Sequence, residues 1–102
     1  MMTVAAPATT ASQAQAVANE YLLTNIGDRL VAAEPALDVM VGVWRVPVLL
    51  SYALLGPIGR VGEFLVSQAS GQLVSHTPIE ELKSAARALY EQHRDAIEAP
   101  LP

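Results

Sequence analysis

From Val43 to Tyr52 the chain alternates. Trp44, Val46, Val48, Leu50 and Tyr52 are large and apolar, while Val43, Arg45, Pro47, Leu49 and Ser51 are mixed. A period of two with one uniformly apolar side is the pattern of a strand buried on one face. Pro47 has no N–H to give to a ladder, which predicts a free edge or a bulge there. A second run begins at Gly59. It sets Val61, Glu63, Leu65 and Ser67 against Gly62, Phe64 and Val66. Between the two runs, Leu54 to Gly59 reads as a turn. It carries Leu54, Leu55 and Ile58 where polar residues are usual, so these side chains either fold back on the core or meet a partner.

On either side of this pair the period changes. Ser12 can cap a helix with Gln15 as its capping-box partner, and Ala14, Val17, Ala18, Tyr21 and Leu22 follow at helical spacing. Gln13, Gln15 and Asn19 are expected to face away, and the helix to stop between Asn25 and Gly27. Arg29 to Val41 predicts an irregular first half, interrupted by Pro35. A strand is expected from about Ala36, with Gly42 turning into Trp44. Gln68 to Gln72 is a turn with Gly71 able to take positive φ. Leu73 and Val74 suit a short fourth strand. Thr77-Pro78-Ile79-Glu80 predicts a second helix with Thr77 as cap and Pro78 as first residue. Its apolar stripe is Ile79, Leu82, Ala85, Ala86, Leu89, Tyr90 and His93, with Lys83, Arg87, Glu91 and Arg94 outside.

The order helix, strands, helix predicts an α+β fold. An N-terminal helix, a three- to four-stranded antiparallel sheet and a C-terminal helix are expected, with the helices on one face of the sheet. At 102 residues this is one domain. Residues 12–95 are its expected extent, with a disordered tail over 1–11 and a frayed one over 96–102. The chain is 52% hydrophobic and carries a net charge of −4, with six Lys and Arg spread along it. No basic stripe marks a nucleic-acid surface. With no cysteine there is no disulfide, thiolate metal site or cysteine nucleophile. MMTVAAPATTASQ has neither a basic residue nor an apolar run of signal-peptide length. The most apolar window, Val39 to Leu55, is interrupted by Gly42, Arg45 and Pro47 and is too short for a membrane helix. A cytoplasmic protein with no membrane contact is the expectation.

Trp44-Arg45-Val46-Pro47-Val48, Gly62-Glu63-Phe64-Leu65-Val66 and Ala69-Ser70-Gly71-Gln72-Leu73 together resemble the small PepSY-like, cystatin-like α+β domains. The resemblance spans Trp44 to Val74. The pattern of those domains is a helix, a strand with a tryptophan, and a strand ending in an Asp-Ala-x-Thr-Gly-type turn. Ser67 and Gln68 stand where the acidic residue of that turn is expected. The resemblance implies a domain that binds or inhibits, in families found mostly outside the cytoplasm. The longer run from Trp44 to Tyr90 is similar to small prokaryotic proteins for which it implies a fold and no activity.

No catalytic set stands out. His76 would need a nucleophile and an orienting acid to act as a base, and the adjacent Ser75 points the other way from a strand. His93 continues the apolar stripe and reads as a packing residue. Two histidines and scattered carboxylates give no metal-ligand spacing. Gly56, Gly59 and Gly62 recur every three residues, but no lysine follows and no helix opens there, so they form neither a dinucleotide fingerprint nor a P-loop. No cofactor is implied. The first functional expectation is a non-enzymatic interaction module, a small regulator or antitoxin-like partner that binds another protein or pairs with itself as a homodimer. Its candidate interface residues are Trp44, Leu49, Leu54, Leu55 and Ile58, with Arg45 and Glu63 pairing at the rim. The bare sheet face would show Val43, Leu49 and either Phe64 or Leu65. The rival is a ligand-binding or enzymatic cystatin-like domain with a pocket between sheet and helices, lined by Tyr21, Trp44, Tyr90 and His93.

Overall fold

The computed structural model describes residues 8–99, so residues 1–7 and 100–102 of the expected tails lie outside them. The fold is α+β. Helix α1 (Ala11–Asn25) is followed by five strands: β1 (Leu30–Ala32), β2 (Ala36–Asp38), β3 (Val43–Tyr52), β4 (Gly56–Ser67) and β5 (Leu73–His76). The chain ends in α2 (Ile79–Gln92) and the short α3 (Arg94–Glu98). All strand pairs are antiparallel, in the order β1-β3-β4-β5, with β2 also on β3.

β1 and β2 are two pieces of one edge. β1 pairs with Val48–Leu50 and β2 with Val43–Arg45, so both lie along the same side of β3. The first half of the Arg29–Val41 segment is therefore a regular strand and not irregular as expected. Pro35 separates the two pieces. Pro47 stands opposite that gap, with its carbonyl accepting from Ala33 N at 2.8 Å. Its missing donor thus falls where the neighbouring strand is interrupted, rather than at a free edge of β3.

α1 begins two residues earlier than its sequence suggested. The capping box is Thr10 with Gln13: Gln13 N donates to Thr10 Oγ1 at 3.2 Å, and Thr10 N donates to Gln13 Oε1 at 2.8 Å. This frees Gln15 and Asn19, which do not face away. Gln15 Nε2 donates to the Ala32 carbonyl and Asn19 Oδ1 accepts from Ala32 N, both at 2.9 Å. The helix thereby occupies the backbone groups of an edge strand that would otherwise stay open to another chain.

Both helices pack on the same face of the sheet. Ala14, Ala18 and Leu22 of α1 and Leu82 of α2 meet Val46, Val48, Leu50, Phe64 and Val66 in one core. The buried face of β3 is the one its alternation predicts. On β4, Phe64 joins that core and Leu65 takes the rear. Two register shifts in the β3–β4 ladder decide the rest. Between Val48 and Leu49 the extra residue is Val61, and between Leu50 and Ser51 it is Ile58. Each bulge turns its extra residue toward the core, where Val61 is buried and Ile58 packs against the cluster. The alternation that put Val61 on the same face as Glu63 fails for this reason.

The three-residue glycine spacing has a steric cause. Gly56 turns the chain at φ 77°. A Cβ on Gly62 would lie 2.6 Å from Leu82 Cδ2 and 2.7 Å from Thr77 Oγ1, and one on Gly59 would lie 3.1 Å from Leu89. α2 lies directly on these two backbone positions. Thr77 does not cap it as expected. The helix starts at Ile79, with Pro78 as the flanking residue and no side-chain cap. Thr77 Oγ1 instead accepts from Glu63 N at 3.0 Å and lies 3.3 Å from the Glu63 carbonyl, pinning the segment before the helix to β4.

Candidate binding surfaces

Trp44 is half-buried at one end of the core. Its indole N–H donates to the Thr9 carbonyl at 2.8 Å, and Thr9 N donates to the Gln68 carbonyl at 2.7 Å. Trp44 thus ties the entry of α1 to the β4–β5 turn. Tyr21 lies elsewhere, edge-on to Phe64 at 5.4 Å and 4.8 Å from the His76 ring. His76 is not merely a polar residue at a helix start. It ends β5, stacks on Phe64 at 5.0 Å and places Nδ1 2.8 Å from the Thr77 carbonyl. A carbonyl can only accept, so Nδ1 carries the proton. His93 does likewise at the end of α2, with Nδ1 3.0 Å from the Leu89 carbonyl. Tyr90 lies in a third place, near Arg94 and Glu98. Desolvation of its hydroxyl and then its hydrogen bond to the Glu98 carboxylate raise its pKa above the ordinary phenol value. Tyr21, Trp44, Tyr90 and His93 therefore do not converge on one pocket. Tyr21 and Tyr90 line separate clefts.

On the rear face of the sheet, Arg45 Nη1 meets Glu63 Oε1 at 2.9 Å and Arg45 Nε meets Asp38 Oδ2 at 3.2 Å. Arg60 Nη2 meets Glu63 Oε2 at 3.0 Å. The Arg45–Glu63 pair forms within one chain. Each contact is exposed and contributes roughly 0–1 kcal/mol. The chain of charges crosses a face where Val43 is buried and Leu49 and Leu65 are half-buried. Phe64 faces the core and is absent from this side.

The apolar surface gathers at the ends of β3 instead. Leu54 is 78% and Leu55 45% exposed in the turn to β4, while Ile58 sits in β4 against the core. At the opposite end, Val39, Met40 and Val41 are 74%, 91% and 65% exposed in the turn from β2. The strand expected through Val41 stops at Asp38, and the turn closes with Gly42 N donating to the Asp38 carbonyl at 2.8 Å, Gly42 taking φ 75°. Apolar character masked this turn. Its signal was Gly42, a residue free to adopt positive φ, placed four residues after Asp38.

A cleft opens on the helix side of the sheet, between the end of α1, the end of β3 and α2, which is seated on β4. Its floor is Ile26, Leu30, Leu50 and Ala86, its walls carry Tyr52 and Tyr90, and Arg29, Lys83 and Arg87 line it. The Arg29 guanidinium sits 4.5 Å over the Tyr52 ring. A smaller groove continues from Arg29 and Tyr52 beneath Leu54 and Leu55 to Ile97. Lys83 and Arg87 were expected on an outer face with Glu91 in reach of Arg87. Glu91 pairs with Arg94 at 2.9 Å instead. No group of three or more His, Cys, Asp or Glu among the described residues is placed to hold a metal ion. No helix among them is long and apolar enough to cross a membrane. Comparison with protein-family models, curated proteins and solved structures finds no match.

Proposed function

We propose that the chain is a non-enzymatic protein-interaction module, acting by binding, and that its first partner is a second copy of itself. The reading rests on Val39, Met40 and Val41, three consecutive apolar side chains exposed on one turn. Single exposed apolar residues are ordinary, but a run of three favours a contact that removes it from water. Leu54 and Leu55 offer a second, smaller tip. The rear sheet face suits a contact less well, since burying Asp38, Arg45, Glu63 and Arg60 would require desolvating four charges. A two-fold contact at the β2–β3 tip buries the same patch twice and needs no second gene product. A regulator or antitoxin-like role toward a different protein would use the same tips.

Size exclusion with light scattering tests this. At micromolar concentration the mass should be near twice 10.8 kDa. Met40→Asp should give a monomer, and Leu54→Asp should leave the dimer intact. A monomeric parent chain rejects self-association. A dimer that survives both substitutions rejects the tips as its contact.

A further inference from the structure

The chain is acidic, with ten Asp and Glu against six Lys and Arg. Three of its cations have anionic neighbours: Arg45 with Asp38 and Glu63, Arg60 with Glu63, and Arg94 with Glu91 and Glu98. The other three, Arg29, Lys83 and Arg87, form no ion pair among the described residues, and all three line the same cleft. They come from different parts of the chain: Arg29 from the α1–β1 connection, Lys83 and Arg87 from successive turns of α2. Among the described residues no carboxylate lines that cleft, although Glu98 lies within reach of the Tyr90 hydroxyl. Asp28, next to Arg29, borders a neighbouring one with Val31 and Ser51. Like charges four residues apart on a helix repel by a few tenths of a kcal/mol, and a third cation adds to this. Convergence of the unpaired positive charges of an acidic protein calls for an anion.

The rest of the cleft describes the remainder of that ligand. The space is about 370 Å³ and open to solvent, near the lower end of the range of small-molecule sites. Its floor is aliphatic. The Tyr52 ring holds the Arg29 guanidinium in place. The apolar groove under Leu54, Leu55 and Ile97 leads away from Arg29. An inorganic anion would leave this surface unused, and a neutral hydrocarbon would leave the cations unmatched. We propose that the cleft binds a single-tailed anionic amphiphile, with its carboxylate or phosphate head between Arg29, Lys83 and Arg87 and its apolar body on the aliphatic floor and along the Leu54–Ile97 groove. The site is separate from the Val39–Met40–Val41 tip and does not require self-association.

Isothermal titration calorimetry of the full chain with sodium decanoate below its micellar concentration is the test. Decanol and inorganic phosphate serve as probes of the body and the head alone. Decanoate should saturate at one per chain, bind more tightly than either probe and weaken as salt is raised. Arg29→Gln, Lys83→Gln and Arg87→Gln should each weaken it about tenfold, the loss of one charge-assisted contact. Arg60→Gln, on the opposite face, should bind as the parent does. The substituted side chains are exposed, and matching thermal melts establish that the variants fold. Decanol binding as tightly as decanoate would reduce the cleft to a plain apolar surface and overturn the proposal. So would the absence of saturable decanoate binding, or undiminished binding by all three glutamine variants.

Discussion

Gly62→Ala tests the seating of α2 on β4. The added methyl would lie 2.6 Å from Leu82 Cδ2, 2.7 Å from Thr77 Oγ1 and 2.9 Å from Thr77 Cβ. The leucine tip can swing aside, but Thr77 Cβ is fixed to a backbone whose N–H donates to the Glu63 carbonyl at 2.9 Å. Relief therefore requires α2 and the residue before it to shift. Overpacking of this kind costs about 1–3 kcal/mol. Disturbing the Thr77–Glu63 hydrogen bonds adds about 1 kcal/mol. Removing a glycine from the unfolded chain returns about 0.4–1 kcal/mol. The net expectation is a loss of about 1–3.5 kcal/mol, or roughly 5–25 °C in melting temperature for a domain of this size. Gly59→Ala is the internal control. Its methyl would meet the flexible end of Leu89, with the two terminal carbons at 3.1 Å, and should change stability by less than about 1 kcal/mol. Urea denaturation followed by circular dichroism measures both. Leu82→Ala supplies a further check. Alone it should cost about 2–5 kcal/mol, and with Gly62→Ala the two losses should sum to less than their separate values, because the methyl enters space the leucine has left. A Gly62→Ala midpoint equal to or above that of the parent chain would refute the close approach of the helix.

The other expectations are smaller or simpler. Thr77→Val keeps the shape and removes the hydroxyl, and should lower stability by about 1 kcal/mol; Thr77→Ser should stay within about 0.5 kcal/mol, and equal losses in the two would assign the effect to packing. Trp44→Phe removes the bond to the Thr9 carbonyl and should cost about 1 kcal/mol, with faster amide exchange at the start of α1; unchanged exchange would mean that the entry of α1 is held without it. Phe64→Ala should cost about 3–5 kcal/mol, comparable with the whole stability of many small domains, and a variant that melts with the parent would remove Phe64 from the core. Arg45→Ala should change stability by less than about 1 kcal/mol because both of its ion pairs are solvent-exposed; a larger loss would give the rear-face network a structural role.

Legibility followed the range of the interaction that decides each element. The alternation from Trp44 to Tyr52 is local, and the buried face it marks is the one observed. Of the stripe from Ile79 to His93, Leu82, Ala85, Ala86 and Leu89 pack on the core, while Tyr90 lines the open cleft. Gly71 takes φ 75° in the turn where it was expected. The misplaced features depend on a second segment. Ser12 and Thr10 both offer a cap with Gln three residues on. Thr10 prevails in a structure where Gln15 and Asn19 are engaged by Ala32. Thr77 has the sequence of a cap, but its hydroxyl is bonded to Glu63 across the sheet. Val61 and Ile58 reach the core through bulges that no period of two contains. The glycine spacing was visible, but its meaning depends on Leu82 and Leu89 lying over it. Arg29, Lys83 and Arg87 lie more than fifty residues apart at their extremes, and only the seating of α2 on β4 beside the end of α1 brings them to one cleft.

A chain that is 52% hydrophobic must either enlarge its core or leave apolar side chains at its surface. The helices cover one face of the sheet, so the rear face is the obvious place for the excess, and the sequence suggested it. The register places Arg45 of β3 near Glu63 of β4, with Asp38 of β2 and Arg60 of β4 at their sides. Charges arranged in this way keep the centre of that face hydrated. The excess is displaced to the two ends of β3, where turns can project side chains without disturbing the ladder. A hairpin tip is also the part of a sheet that can enter another surface without pairing edges, so self-association there need not propagate into an extended sheet. If the tips carry the contact, the oligomer should therefore have a closed, fixed mass. A mass that rises continuously with concentration would indicate edge pairing along β5, whose Val74 is exposed, and would place the interaction on the sheet edge instead of the tips.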